Sequence, residues 1–127
     1  MIKQIQTYYK ELWLQQGANF LLEFQCKTNL GEIVDLTDCD GHAQIRKSPS
    51  SLSFVPFRVD IFKPKDGWVR ISMDAETTGN IRYGHYQYDV EISMNSDEYD
   101  DSDYYNGKHY VQRVMQGDIV VDPQITR

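Results

Sequence analysis

The sequence predicts an all-β domain, an antiparallel sandwich of about seven strands, and three observations carry that prediction. Apolar residues recur at alternate positions in several separate stretches; the clearest is Tyr86, Tyr88, Val90 and Ile92 with Gln87, Asp89 and Glu91 between them. That alternation is the mark of a strand with one buried face. Turn residues punctuate these stretches at short intervals. No stretch of ordinary helical length carries the 3.6-residue periodicity of an amphipathic helix.

Size and charge narrow the possibilities. With 127 residues, 40% of them hydrophobic, the chain fits one domain and can bury a core without metal or disulfide support. Lys and Arg number 13 against 19 Asp and Glu, a net charge of −6, whereas a nucleic-acid partner calls for a basic stripe. No apolar run approaches the roughly 20 residues that span a bilayer, so no membrane partner is expected. Met1-Ile2-Lys3-Gln4-Ile5-Gln6 lacks the apolar segment of a signal peptide, and synthesis in the cytoplasm is expected. Cys26 and Cys39 are the only cysteines, too few for a disulfide framework or a metal knuckle. Two buried thiols are expected, with Cys26 extending the inward alternation Phe20, Leu22, Phe24.

Taken in order, residues 1–14 read as an N-terminal arm and first strand, and residues 15–127 as the sandwich proper, all within one domain. Ile5 to Leu14 is the first strand, carrying the aromatics Tyr8, Tyr9 and Trp13. Phe20 to Lys27 is the second, closed by the turn residues of Thr28-Asn29-Leu30-Gly31. Ile33 to Thr37 is a short extended crossover whose Asp and Thr can bond local backbone. Gly41, Ala43 and Ile45 face inward on the third strand, which Ser48-Pro49-Ser50-Ser51 breaks. Val55, Phe57, Val59 and Ile61 face inward on the fourth, where Pro56 demotes the start to an edge or bulge.

Pro64-Lys65-Asp66-Gly67 is a hairpin turn, because Gly67 accepts the positive φ that such turns need. Val69, Ile71 and Met73 line the fifth strand. Asp74 to Asn80 has helix-like composition but room for only a short helical corner. The sixth strand runs from His85 to Met94, and a polar loop, Asn95 to Gly107, leads to Tyr110 and the final strand, where Gln116-Gly117 reads as a glycine bulge. Tyr86 or Tyr88 sits where a tyrosine corner would tie loop backbone in an immunoglobulin-like fold; core filling explains both tyrosines equally well.

Little in the chain announces chemistry. His42, His85 and His109 stand apart in sequence without metal-ligand spacing, no Ser lies in Gly-x-Ser-x-Gly, and no glycine-rich turn opens a phosphate-binding helix. No catalytic residue and no cofactor is expected. The sharpest local feature is the acidic loop. Asp97, Glu98, Asp100, Asp101 and Asp103 place five carboxylates in seven residues, donors that suit Ca²⁺, although a solvated hairpin tip is the stronger reading of a charge run. Tyr99, Tyr104 and Tyr105 offer a contact patch for a protein or a sugar.

The order of landmarks adds a family resemblance. Gln16-Gly17-Ala18-Asn19-Phe20, Gly31-Glu32-Ile33-Val34-Asp35-Leu36-Thr37, Ala43-Gln44-Ile45-Arg46, Gly67-Trp68-Val69-Arg70-Ile71-Ser72-Met73, Tyr88-Asp89-Val90-Glu91-Ile92 and Gln116-Gly117-Asp118-Ile119-Val120-Val121 follow one another. This succession resembles small virion proteins of tailed bacteriophages, akin to the N-terminal domain of phage baseplate upper proteins. It covers about Gln15 to Arg127, and its specificity lies in the order of short motifs. The resemblance implies an immunoglobulin-like antiparallel β-sandwich serving as a non-enzymatic structural or adaptor component of a phage virion, in the tail or baseplate. It implies other virion subunits as partners, a homo-oligomer in the particle, and synthesis in the bacterial host's cytoplasm. The acidic loop and the aromatic N-terminal arm depart from the pattern, and Tyr8, Tyr9 and Trp13 are the candidate partner anchors in the arm. The alternative is a carbohydrate- or receptor-binding module using the acidic Tyr-rich loop, with calcium.

Overall fold

Alternation becomes pairing in the computed structural model, which describes residues 3–95 and 109–126. Eight strands form: β1 (Tyr8–Tyr9), β2 (Leu12–Gln15), β3 (Phe20–Gln25), β4 (Asp40–Arg46), β5 (Val55–Lys63), β6 (Trp68–Met73), β7 (Gly84–Asn95) and β8 (His109–Asp122). They make one curled mixed sheet in the order β1-β8-β7-β4-β5-β6-β3, with β2 also on β8. The fold is all-β.

The curl turns on β5. Its Val55 to Phe57 pair with Ile45 to Ala43 of β4, while Arg58 to Lys63 pair with β6, with a register irregularity between Asp60 and Lys63. Pro56 lies in the β4-paired half, opposite Gln44. Changing neighbours in mid-strand folds the sheet over and brings the ends of the strand order together. The Tyr8 ring meets Phe24 edge-on at 6.3 Å, the Tyr8 hydroxyl donates to the Gln25 carbonyl at 2.9 Å, and Gln6 N–H donates to the Lys27 carbonyl at 2.8 Å. The sheet is thereby stapled almost shut around its core.

Inside lie Leu14, Leu36, Ile45, Val69, Ile71, Val90, Ile92, Val114, Ile119 and Val121, all fully buried. Each such side chain stabilises by roughly 1.5–3 kcal/mol relative to leaving it in water. The inward faces agree with the alternation at Ala43 and Ile45, at Val69, Ile71 and Met73, and at Tyr88, Val90 and Ile92, while Tyr86 is half-buried. Pro64–Asp66 form a single 3-10 turn closed by Gly67 at φ 72°, where a Cβ would press on the carbonyls of Val34 and Cys26. The short helix α1 (Ala75–Gly79) is capped by Asp74, whose carboxylate accepts from Thr77 N–H. That bonding to Thr77 holds the Asp74 carboxyl below its ordinary range. In the crossover, Thr37 donates to Asp35 from both hydroxyl and backbone and lowers the Asp35 carboxyl likewise.

Three expectations need correction. The sheet is not wholly antiparallel, because β1 and β2 run parallel to β8 (Tyr8 opposite Met115, Leu12 opposite Ile119). Alternation specifies which face of a strand is buried and says nothing of its partner or direction; the long chain between β2 and β8 supplies the connection a parallel pair needs. Second, the first strand is interrupted at Lys10-Glu11, and Ile5, Leu12 and Leu14 of this segment are core residues. Third, the bulge does not fall at Gln116-Gly117. Val90 faces Met115 and Glu91 faces Arg113, so the extra residue is Val114. Val114 and Met115 are consecutive and both buried, as a bulge that shifts the alternation by one requires.

Candidate functional site

The outer face of β4, β7 and β8 is where polar side chains converge. Because β4 and β7 pair in register, His42 stands opposite Glu91, Gln44 opposite Asp89 and Arg46 opposite Gln87. On the other side of β7, Glu91 faces Arg113, Asp89 faces Gln116 and Gln87 faces Asp118. These residues line an open hollow of about 720 Å³.

Two guanidiniums fix its sides. Arg113 lies 3.4 Å from the Asp89 carboxylate and 3.7 Å from that of Glu91, and donates to Gln116 Oε1 at 3.2 Å. Arg46 donates to Gln44 Oε1 at 3.1 Å and to the Ser51 carbonyl, and sits 4.9 Å over the Phe54 ring. Exposed ion pairs of this kind add little to stability, about 0–1 kcal/mol. Their effect is to hold the glutamines with the amide nitrogens turned away from the arginines. Between these pairs, Gln87 and Asp118 are exposed, and neither side chain has a hydrogen-bond or ion-pair partner among the described residues.

The candidate anchors divide between the two faces. Tyr8 points inward, its ring on Phe24 and its hydroxyl on Gln25. Tyr9 and Trp13 point outward, 77% and 57% exposed, with Tyr9 opposite Gln116 and Trp13 opposite Val120. Tyr99, Tyr104 and Tyr105, and the calcium candidates Asp97, Glu98, Asp100, Asp101 and Asp103, lie outside the described residues. Among the described residues, no three His, Cys, Asp or Glu side chains gather as a metal site, and no helix is long and apolar enough to cross a membrane.

Sequence reasoning did not single out Gln44, Gln87, Arg113 or Asp118. Their outward positions are readable from alternation, but their meeting depends on the register of three strands. The two corner tyrosines have different ties. Tyr86 hydroxyl donates to the Arg82 carbonyl at 2.6 Å, fastening the loop ahead of β7, and Tyr88 hydroxyl donates to the Lys10 carbonyl at 2.5 Å. Compared with known proteins, the chain matches no family model and no curated protein.

Proposed function

We propose that this protein is a non-enzymatic assembly module, a structural or adaptor component of a phage virion placed in the tail or baseplate. The observation that carries the assembly part is the pair Tyr9 and Trp13. Both are large, exposed aromatics: Tyr9 follows Tyr8, which packs against the core from β1, and Trp13 stands between Leu12 and Leu14, both locked in the core from β2. Rigid aromatic anchors of this kind dominate protein interfaces. The virion setting is supported by the order of sequence landmarks.

In this reading the two parts of the curled sheet, β1/β2-β8-β7-β4 and β5-β6-β3, act as the layers of an immunoglobulin-like sandwich, with Tyr86 as its corner tyrosine. The partners are other virion subunits and further copies of this chain, and the net charge of −6 disfavours nucleic acid. Purified particles of the encoding virus should contain the chain. A Tyr9→Ala/Trp13→Ala variant should keep its unfolding midpoint within about 1 kcal/mol yet fall out of particles. Absence of the wild-type chain from particles overturns the virion setting, and full incorporation of the double variant overturns the role of the aromatic pair.

A further inference from the structure

From the hollow on β4, β7 and β8 we infer a binding site for a neutral saccharide, centred on Gln87 and Asp118. This inference is independent of the virion setting and of the aromatic pair's role in assembly. Its volume of about 720 Å³ falls within the roughly 300–1,000 Å³ usual for small-ligand sites, but its lining is polar. Such a lining suits a ligand whose surface is itself dense in hydroxyls.

The arrangement of groups narrows the ligand further. Arg113 is engaged by Asp89, Glu91 and Gln116, and Arg46 by Gln44, Ser51 and Phe54. The lining sets Arg46 and Arg113 against the three carboxylates of Asp89, Glu91 and Asp118, a balance that disfavours a phosphate or carboxylate ligand. What remains open is a side-by-side amide and carboxylate, since Gln87 and Asp118 are direct cross-strand neighbours without side-chain partners among the described residues. A sugar hydroxyl both donates and accepts, as does Gln, whereas the Asp carboxylate only accepts. Two adjacent hydroxyls therefore engage both members of the pair at once, one donating to Asp118 and the other exchanging bonds with Gln87. The Gln44 and Gln116 amides, their oxygens already held by arginine, add donors on either side.

Preorganisation is the second part of the case. Fixing rotamer-rich side chains on binding costs about 0.5–1.5 kcal/mol each, and here the arginines have already fixed Gln44 and Gln116.

The test is a titration of the isotope-labelled full chain, followed by backbone amide resonances, with maltotriose, cellotriose, chitotriose and mannotriose in turn, each to tens of millimolar. At least one should shift amides of β4, β7 and β8 around Gln44, Gln87 and Asp118, saturating in the millimolar range or below. Gln87→Ala and Asp118→Ala should each weaken that binding about tenfold, equivalent to about 1.4 kcal/mol, with the other resonances unmoved. No shift with any of the four, shifts elsewhere, or unchanged affinity in both variants overturns the inference. So does a concentration-dependent shift of the same amides without sugar, which would assign the hollow to a second copy of the chain.

Discussion

Tyr88 and Gly117 face each other across β7 and β8, and the tyrosine hydroxyl reaches the Lys10 carbonyl at 2.5 Å. That carbonyl lies where a side chain at position 117 would begin, in the way of the Cβ that an alanine would carry. One backbone oxygen thus depends on two residues, one giving it a hydrogen bond and the other giving it room. The interruption between β1 and β2 sits at this contact, with Lys10 N–H bonded to the Gln116 carbonyl at 3.0 Å.

Gly117→Ala should therefore cost about 1–3 kcal/mol, the usual penalty for overpacking, because the atom in the way is backbone and the β1–β2 edge must shift. Tyr88→Phe, which withdraws the donor from Lys10, should cost about 1 kcal/mol. Both act on one oxygen, so the double variant should lose less than the sum by about 0.5 kcal/mol or more. Urea midpoints of the four proteins check this.

Alkaline pH should weaken the fold through the same tyrosine. Burial pushes the Tyr88 hydroxyl up from 10.0 to about 12, so the folded chain keeps a proton that the unfolded chain releases. The stabilisation is complete below pH about 10 and is lost as pH rises from there towards 12. The gap in urea midpoint between wild type and Tyr88→Phe should narrow as pH rises from about 10 towards 12. A constant gap would remove the linkage.

Gln112 is the buried polar residue that ties the N-terminal segment to β8. Its Oε1 accepts from Ile5 N–H at 2.8 Å, and its Nε2 donates to the Lys3 carbonyl at 3.0 Å. Gln112→Leu keeps the bulk and orphans both backbone groups, at about 1–3 kcal/mol for each that stays buried. Hydrogen exchange should show Ile5 losing protection well before the β7–β8 amides do.

Cys26 should resist modification in the folded chain. Burial, followed by the neighbouring Cys39, pushes its thiol from 9.0 to about 12, and only the thiolate is a competent nucleophile. Iodoacetamide at neutral pH should leave Cys26 unlabelled by mass spectrometry and label it promptly in urea.

Much of the sheet was readable because face and turn are local properties. The alternation Val69, Ile71, Met73 and the positive-φ glycine of Pro64-Lys65-Asp66-Gly67 each need only their own few residues. The parallel placement of β1 and β2 was not readable, since Leu12 and Leu14 declare a buried face without naming Ile119 and Val121 as neighbours. The bulge was misplaced for a related reason. Gly117 looks like a bulge residue, but its small size serves the approach of Lys10, and the extra residue is the ordinary-looking Val114. The hollow lies furthest from local reading, as Gln87 and Asp118 meet only once β7 and β8 have been aligned.

The parallel strands also impose an order of events. Ile5 waits for Gln112, a partner 107 positions later, so its segment cannot settle until β8 has left the ribosome. Chains dominated by such distant pairings fold slowly. Throughout that interval the apolar side of Leu12 and Leu14 has no place to go, and a ribosome-associated chaperone is the cellular factor on which this chain should most depend.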